Sequence, residues 1–458
     1  MRTYAEQFGD FTTNLEFENI PSVIIDIVKL HLLDTMGVCF ACSTLPYSQI
    51  LVNILKEEGG VPESTVISYG YKLTSRNAAF INGSLAHGYN FDDTHIQAIV
   101  HPTAIIMPTV FSMGEKERIN GKTALVAVTA GLEIICRLGL AAPQMVQRGI
   151  DPNPACGVFG ATAAAGKILA LSPDQIATAM GIAGVMSSGD MEWESDGSLS
   201  WCVQAGLAAQ NGILAAKMAK LGYTGPHTIL EGNQGFYISF AGKGNYDLKI
   251  LNEGLNKSWE TANIVFKAYP ACQGAQAYID CVLMLGKEHG IDPNNIQEIE
   301  CKVGELIGKR LCEPPEVKVT PPNPDIAQVS IPYTIAAAII EGKVGIPEVS
   351  GDKIKDPHIL NLAKKVKHIV DPAYDEGMAI RAWVRIRMKD GNEYVKEVNT
   401  PKGSIENPFE EKDVRDKFIN NATMVLPGDQ ALELAENVMK LDSVNDISDL
   451  MILCKRKN

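Results

Sequence analysis

The spacing of apolar residues changes once along the chain, and this change constrains the fold more than any other feature. From residue 20 to about 240, apolar residues recur every three or four positions, and prolines stand at several expected helix starts. Beyond residue 265, the segments 296–304 and 379–399 alternate apolar with polar residues, the second around an Asp390-Gly391 turn. The sequence therefore predicts a mainly helical region followed by a mixed α/β region.

Local signals locate individual helices. Ser172, Pro173 and Gln175 form a capping-box pattern, which predicts a helix from about residue 173 to 187. The preceding stretch 157–171 is rich in glycine and alanine, whose small side chains allow helix backbones to approach closely. We therefore expect a crowded helix there, in the core or at a subunit contact.

Length and the return of helical signals near the end define two predicted domains. A chain of 458 residues with 46% hydrophobic content exceeds what one core usually organises. The segment 428–441 again has helical apolar spacing, so the last residues should rejoin the first domain. We predict a helical domain from residues 1–264 and 405–458 and an α+β domain from residues 265–404, in which the proline-rich stretch 313–325 forms a long surface loop.

The charge balance limits the partners of the chain. Lys and Arg total 41 against 54 Asp and Glu, and the net charge of −13 opposes binding to phosphate backbones or anionic lipids. The N-terminal residues lack a basic start followed by an apolar run, and longer apolar stretches are interrupted short of the roughly 20 residues of a spanning helix. We therefore expect no nucleic-acid or membrane partner and a cytoplasmic location.

Cysteine usage favours a reduced core. The ten cysteines are dilute, and most lie inside apolar runs, as buried thiols do. Cys39 and Cys42 form a C-x-x-C pair, but they lie in a helical pattern with no second pair at zinc-site spacing. We interpret the cysteines as core residues and expect no metal or cofactor.

A cluster of histidines marks one candidate site. His87, His95 and His101 lie close together, although the chain has only eight histidines, and Asp93 and Thr94 stand between them. This turn-prone segment offers an acid/base group, carboxylates and hydrogen-bond donors. From residue types alone two other interpretations stay open: a helix-capping turn with surface histidines, which is the commoner case, and a His/Asp metal site.

Two further residues stand out in apolar surroundings. Lys267 is a lone cation in IVFKAYPACQG, at the expected domain boundary. A buried lysine can carry a proton or bind a carboxylate, whereas an exposed one lays its stem along the surface. Tyr333 lies at the start of an apolar helix in AQVSIPYTIAAAII and by itself would be interpreted as a core residue.

Several blocks of sequence together carry a resemblance to a known family. They extend nearly from end to end and include AHGYNFDDTH, VHPTAIIMPTVFSMGE, GVFGATAAAGKILALSPDQIATAMGIAG, FKAYPACQGAQAYID and AQVSIPY. The chain resembles the MmgE/PrpD family, which includes 2-methylcitrate dehydratase, cis-aconitate decarboxylase and iminodisuccinate epimerase. The resemblance implies a helical domain built from both chain ends, an inserted α+β lid domain, a homodimer, and an active site in the cleft between the domains.

The resemblance also implies roles for individual residues. The acid/base histidine of relatives matches His101, their motif lysine matches Lys267, and their lid tyrosine matches Tyr333. Removal of a proton next to a carboxylate builds up enediolate charge that a lysine and a tyrosine can stabilise, so these three residues are expected to be catalytic and to converge on one cavity. The remaining site residues are expected to bind substrate or support the loop: Asn90, Asp93, Thr94, Asp151, Trp201, Gln204 and Gln276.

Departures from the family pattern predict a substrate of lower charge. Relatives commonly have an acid where this chain has Asn90 and a histidine where it has Asp151. Basic or titratable residues of relatives align with four more positions: Trp201, Cys202, Gln204 and Gln276. An unpaired desolvated carboxylate costs several kcal/mol, so a citrate-like tricarboxylate is not expected. The substrate would instead have fewer carboxylates, an apolar part near Trp201, or an amine facing an acidic run that could equally be a solvated loop: Glu192, Glu194 and Asp196.

The sequence thus predicts a cofactor-independent lyase, a dehydratase or a decarboxylase, that acts by proton transfer next to the carboxylate of a small organic acid. An isomerase or epimerase is the alternative, because returning the same proton to the opposite face inverts the centre without a leaving group. A non-catalytic paralogue that keeps the fold as a binding or scaffold protein is a third hypothesis.

Overall fold

The structure, a computed structural model, describes residues 2–374 and 381–456, except for the side chains of residues 195 and 196. By its internal contacts the chain divides into two compact units. The first comprises residues 1–88, 92–264 and 410–458, and the second comprises residues 89–91 and 265–409. The division into folding domains at 264/265 and 404/405 remains a prediction.

The first unit is built mainly of helices. In chain order they are α1 (Tyr4–Asn14), α2 (Ser22–Cys42), α3 (Pro46–Glu58), α4 (Ser75–Ala86), α5 (Thr103–Glu117), α6 (Gly121–Leu140), α7 (Pro152–Ile168), α8 (Pro173–Met186), α9 (Trp193–Asp196), α10 (Ser200–Lys220) and α11 (Phe236–Phe240). Three two-residue strands lie among them: β1 (Ser64–Thr65), β2 (Lys72–Leu73) and β3 (Thr94–His95).

The predicted capping box is present at the start of α8. The Ser172 hydroxyl accepts a hydrogen bond from the backbone N–H of Gln175, and the Gln175 side chain accepts one from the N–H of Ser172. Pro173 takes the first helical position, where its missing N–H costs nothing. The helix then ends at Met186, one residue from the predicted end.

The glycine- and alanine-rich stretch forms most of α7, a crowded helix as predicted. Every residue from 152 to 166 is buried, and α7 packs against α6 and α10. A Cβ atom on Gly212 of α10 would lie 2.4 Å from the Cβ of Ala161, so only glycine permits this helix approach. α7 is therefore a core helix of the first unit.

One helix among the described residues, α6, is long and apolar enough to cross a membrane by length and composition. Of its most apolar window, 89% is buried inside the protein, as in the core helix of a globular fold. It also contains Glu133 and Arg137, which are buried and ion-paired with each other.

The second unit is mixed. It begins at Val265, the second residue of β4 (Ile264–Val265). It continues with α12 (Gln276–His289), β5 (Ile296–Val303), α13 (Glu305–Leu311), α14 (Pro315–Val319), α15 (Pro324–Gln328), α16 (Ile331–Glu341), α17 (Pro357–Ala363), β6 (Val366–Val370), β7 (Ala382–Met388) and β8 (Glu393–Val398). Four strands form a sheet in the order β6-β5-β7-β8, in which β5 and β6 are parallel and the other pairs antiparallel. The predicted class, mainly α with a smaller α+β part, is confirmed.

The proline-rich stretch 313–325 differs from its prediction as a long surface loop. It forms α14 and the start of α15, because Pro315 and Pro324 take first-turn positions and Asn323 caps α15 with its side chain. Lys318 is buried and donates a hydrogen bond to the carbonyl of Val329 at 2.8 Å. Packing of this lysine against α15 holds the segment in place.

The chain then returns to the first unit. The final helices are α18 (Glu411–Ala422), α19 (Gly428–Met439) and α20 (Ile447–Ile452), and α18 packs on α2. All ten cysteines are free and nine are buried, which confirms their interpretation as core residues for those nine. Burial raises the pKa of Cys39 and Cys42 well above that of an ordinary thiol.

Candidate active site

The histidine-rich segment joins α4 to α5 and folds into a compact loop. His87 caps the C-terminus of α4, and Tyr89 and Asn90 adopt left-handed backbone conformations with φ of 56° and 48°. A backbone bridge between His95 and Val100 closes the loop before α5 begins. The polar residues of this loop therefore turn into the protein rather than out to solvent, and the interpretation as surface histidines is wrong for His87 and His95, which are buried.

The His101 ring is held at Nδ1. That nitrogen lies 2.9 Å from the carbonyl oxygen of Asp93 and 3.2 Å from the hydroxyl of Thr94. Because a carbonyl oxygen can only accept, Nδ1 carries the hydrogen, and in the neutral ring the lone pair is on Nε2. The backbone N–H of His101 also donates to Oδ1 of Asn153 at 2.9 Å. His101 is thus oriented from three sides with a basic Nε2.

Asp92 lies between two imidazole rings. Its Oδ2 is 2.7 Å from Nδ1 of His87 and 3.6 Å from Nδ1 of His101, and the ring centroids of the two histidines are 4.9 Å apart. The Asp92 carboxylate is fully buried, whereas the His101 side chain is 21% exposed. The Asp92 carboxyl group therefore lies beside His101, the one partly exposed histidine of the three.

The same three side chains are a possible metal-ligand set. One ligand atom from each of His87, Asp92 and His101 lies within 4.8 Å of the others. Two ligands on a tetrahedral zinc ion would be about 3.4 Å apart, given metal–ligand bonds of about 2.1 Å. The 2.7 Å between His87 and Asp92 is instead a direct hydrogen bond, so a proton joins them in this structure.

Asp93 supports the loop through partners that the sequence did not reveal. Its Oδ2 lies 2.9 Å from Nδ1 of His31 on α2, with both side chains fully buried, and its Oδ1 accepts from the N–H of Thr103. Further along α2, Asp34 pairs with Lys417 of α18 at 2.8 Å. Burial raises the pKa of Asp34, against the opposing charge of Lys417. His31 could not be recognised from sequence, because it lies some 60 residues before Asp93 in an apolar helix.

His95 belongs to the architecture of the loop. The N–H of Ala98 donates to its Nδ1, so Nε2 carries the hydrogen and donates to Glu260 at 3.2 Å. This contact lowers the pKa of the Glu260 carboxyl. His95 braces the loop against the segment before β4.

Trp201, Gln204 and Asp151 are the predicted substrate residues at α10 and at the start of α7. Trp201 packs edge-on against His87 with ring centroids 4.7 Å apart, and Trp193 lies 5.7 Å from Trp201. Gln204 donates to the carbonyl of Asp190 at 3.0 Å. Asp151 caps α7 by accepting from the N–H of Asn153. In the first unit, direct contacts join Asp93 and Thr94 to His101 and Trp201 to His87. Asp151 is connected to His101 through Asn153, and Gln204 contacts Asp190.

The acidic run next to Trp193 lies at the surface. Glu192 is exposed and Glu194 is partly exposed. The side chain of Asp196 lies outside those that the structure describes. An amine-binding role of this run stays a prediction.

In the second unit, Lys267 is fully buried and contacts Asn90. Its Nζ donates to the Asn90 carbonyl at 3.0 Å and to Oδ1 of the same residue at 2.6 Å. The sequence left two interpretations of Lys267 open, and the one that places its side chain along the surface is therefore wrong. Both acceptors are oxygens of Asn90, so Nζ is the donor in each bond.

Tyr333 and Gln276 make structural contacts within the second unit. The Tyr333 hydroxyl donates to the carbonyl of Glu348 at 2.8 Å, and burial raises the pKa of this phenol. The Gln276 amide accepts from the N–H groups of Ala268 and Tyr269 and donates to the carbonyls of Tyr269 and Ala271. Through these four bonds, the Gln276 amide holds the loop after Lys267. The catalytic role of Tyr333 and the substrate-binding role of Gln276 stay predictions.

The chain matches two family models in succession. The MmgE/PrpD N-terminal domain model matches residues 6–249, and the MmgE/PrpD C-terminal domain model matches residues 269–442. Cis-aconitate decarboxylase of Aspergillus terreus is 26% identical over 464 residues, which cover 97% of this chain and 94% of the relative. Cis-aconitate decarboxylase of Mus musculus is 27% identical over 472 residues, which cover 99% and 94%. A cis-aconitate decarboxylase-like protein of Aspergillus oryzae is 25% identical, with 97% and 95% covered.

Proposed function

The chain belongs to the MmgE/PrpD family, and from this premise we propose that it is a lyase that eliminates CO2 or water from a small carboxylic acid by proton transfer at the carbon next to a carboxylate. The relatives named cis-aconitate decarboxylase support the lyase class. The single observation that carries the proposal is the orientation of His101, whose Nδ1 donates to the Asp93 carbonyl.

His101 is the proposed acid/base group. With hydrogen on Nδ1, the neutral ring accepts a proton at Nε2, and the Asp92 carboxylate 3.6 Å from Nδ1 favours the imidazolium that forms. In dehydration, neutral His101 takes the proton and the hydroxyl leaves as water with a proton from a second acid. In decarboxylation, the carbon–carbon bond to the departing carboxylate breaks, CO2 leaves, and the electron pair stays on the substrate carbon. His101, protonated beforehand from solvent, then donates a proton to that carbon.

Lys267 and Tyr333 are the proposed groups for binding the substrate carboxylate and stabilising enediolate charge. The resemblance to relatives supports both roles, and the burial of Lys267 agrees with a desolvated cation that recognises a carboxylate. The hydrogen bonds from Lys267 to Asn90 fix the position of its ammonium group.

The proposed substrate carries fewer charges than a tricarboxylate. In the first unit, the side chains that contact His87 and His101 include acidic, neutral and aromatic ones: Asp92, Thr94, Asn153 and Trp201. The additional carboxylates of a citrate-like acid would meet like charge at Asp92, which costs several kcal/mol when both groups are desolvated. A mono- or dicarboxylate with an apolar part against Trp201 fits better.

His101→Asn tests the proposal, because the Asn amide nitrogen occupies nearly the place of Nδ1 but nothing replaces Nε2. Purified wild type is first incubated with a panel of small mono-, di- and tricarboxylates, and products are identified by NMR. On the best substrate we expect His101→Asn to lower kcat/KM by about 10²–10⁴-fold. His227→Asn is the control, since His227 also pairs with a carboxylate, Glu6, elsewhere in the first unit. Activity of His101→Asn within about threefold of wild type would refute the role of His101.

The same panel in D2O separates the alternatives. An unsaturated product or released CO2 supports the lyase, whereas deuterium in recovered substrate without net conversion supports an isomerase or epimerase. Binding of carboxylates without turnover or exchange would support the non-catalytic paralogue. We also propose a homodimer in the cytoplasm, which light scattering of the purified protein and cell fractionation test.

A further inference from the structure

A chain of contacts in the first unit connects His101 with residues outside its own loop. The His101 N–H donates to Asn153, and Asp151 caps the helix on which Asn153 lies. The neighbouring residue Ile150 forms a backbone bridge with Asp190, whose carbonyl accepts from the Gln204 side chain. Asn153 therefore lies between the backbone of His101, which its side chain contacts, and the backbone at Ile150, which is bridged to Asp190.

The contacts return to His101 along a second path. Trp201 lies three residues before Gln204 on α10 and packs against His87, which bonds Asp92 beside His101. Residues three apart lie on the same face of a helix, so Trp201 and Gln204 face the same space. His101, Asn153, Gln204 and Trp201 thus lie in one closed set of contacts.

The orientation of the Asn153 amide is determined by its partner. A backbone N–H must be met by an acceptor, so the atom 2.9 Å from the His101 nitrogen is Oδ1 and not Nδ2. The Nδ2 group consequently points away from the His101 backbone. Asn153 is 1% exposed, and its Nδ2 has no hydrogen-bond partner among the described residues.

An unmet buried amide donor costs about 1–3 kcal/mol and calls for an explanation. Two further buried atoms in the same set of contacts also lack a partner among the described residues, namely Oε1 of Gln204 and Nε1 of Trp193, whose ring packs on Trp201. Three polar atoms within one set of contacts are therefore available to a polar ligand. Trp193 lies on the four-residue helix α9.

We propose that Nδ2 of Asn153 donates a hydrogen bond to the substrate oxygen on which negative charge develops while His101 moves the proton, which makes Asn153 a catalytic residue. This role rests on the proposed function and names the group that meets the developing enediolate. A neutral amide suits the site, because it stabilises an oxyanion without adding a cation beside the acids Asp92 and Asp151. The reaction leaves Asn153 chemically unchanged, since the amide only donates a hydrogen bond.

Asn153→Asp is the sharpest test. The substituted carboxylate keeps an acceptor for the His101 N–H but presents an oxygen where the donor was. Removal of one oxyanion donor typically lowers kcat by about 10²–10³-fold, and we expect a loss of at least this size on the best substrate of the panel. Asn153→Ala, which removes donor and acceptor together, is the second variant in case Asn153→Asp does not fold, and it should lose at least as much.

Asn421→Asp is the matched control. Asn421 is also buried in the first unit, on α18, with an Nδ2 that has no partner among the described residues. Asn421→Asp measures how much a new buried carboxylate away from His101 lowers kcat, and we expect its kcat to stay within about threefold of wild type. Selective ¹⁵N-histidine NMR should show the Nδ1–H signal of His101 unchanged in Asn153→Asp, which separates loss of the donor from misplacement of the imidazole.

The outcomes distinguish the two proposals. If wild type turns over a carboxylate and Asn153→Asp keeps kcat within about threefold, the role of Asn153 is refuted and the lyase proposal stands. A similar kcat loss in Asn421→Asp, or a changed His101 signal in Asn153→Asp, also refutes a direct role of Asn153. If wild type shows no turnover on the whole panel, the lyase proposal fails and the role of Asn153 fails with it.

Discussion

Lys417→Met removes the positive charge that balances Asp34 inside the first unit. Nζ of Lys417 lies 2.8 Å from Oδ1 of Asp34, and the two side chains are 6% and 0% exposed. At an effective dielectric constant of about 20, two unit charges at this distance attract by about 6 kcal/mol, and breaking a buried pair typically costs about 3–5 kcal/mol. We expect the free energy of unfolding at neutral pH to fall by about 3–5 kcal/mol.

The loss should depend on pH in a defined direction. Burial already raises the pKa of Asp34, and the charge of Lys417 is the largest influence that opposes the rise. Without Lys417 the pKa of Asp34 rises further above its unfolded value of about 3.9. A carboxyl group with a raised folded pKa destabilises the native state increasingly as pH rises from the unfolded pKa to the folded pKa. The cost should therefore be small near pH 4 and largest near neutrality.

Thermal and urea unfolding of wild type and variants at pH 5 and pH 7.5 measure this effect. The double variant Asp34→Asn with Lys417→Met should recover most of the loss at pH 7.5, because no buried charge is left unpaired. Lys29→Met is the control, since its partner Asp442 is 40% exposed and such a pair is worth about 1 kcal/mol or less. A loss of less than about 1 kcal/mol in Lys417→Met, equal at both pH values, would refute the reasoning.

Three further predictions concern the candidate site. His31→Leu should lower both the unfolding midpoint and kcat, because Asp93 loses its buried partner at 2.9 Å. His31→Asn keeps a donor near the position of Nδ1 and should recover most of both losses. Equal losses in the two variants would contradict this prediction. Dialysis against a chelator should leave turnover unchanged, because His87 and Asp92 are at hydrogen-bond distance, and a loss reversed by added zinc would show that a metal bridges them. Lys267→Ala should abolish turnover while light scattering gives the same oligomer as wild type, and near-normal turnover would remove Lys267 from the mechanism.

Much of the fold was predictable because it depends on neighbours in the sequence. The capping box of Ser172 and Gln175 acts within one helical turn, and the Asp390-Gly391 turn acts between two adjacent strands. Small residues in the stretch 157–171 predicted a crowded helix, since only they permit close backbone approach. The exception, the helical segment within 313–325, depends on packing of Lys318 against a following helix.

The candidate site was predictable only in part. Sequence indicated His101, Thr94 and Asp93, because unusual residue types cluster in one short loop. It did not indicate His31, which pairs with Asp93 from a distant helix, or Asn153, whose importance depends on a hydrogen bond to the backbone of His101. Sequence also did not distinguish His95 from His101, because both lie in the same histidine-rich segment. The structure shows that His95 braces the loop through Glu260.

The sequence by itself determined the start of the helix at Pro173, the turn at Asp390-Gly391, which residues are available for proton transfer, and which family the chain resembles. Only the tertiary structure decided which nitrogen of His101 carries the hydrogen, which carboxylates are buried against cations or imidazoles, and which amide lacks a partner. The physical reason is that caps, turns and periodic apolar faces arise from residues a few positions apart. Protonation and hydrogen-bond satisfaction depend instead on atoms within about 3 Å that the fold brings from remote parts of the chain.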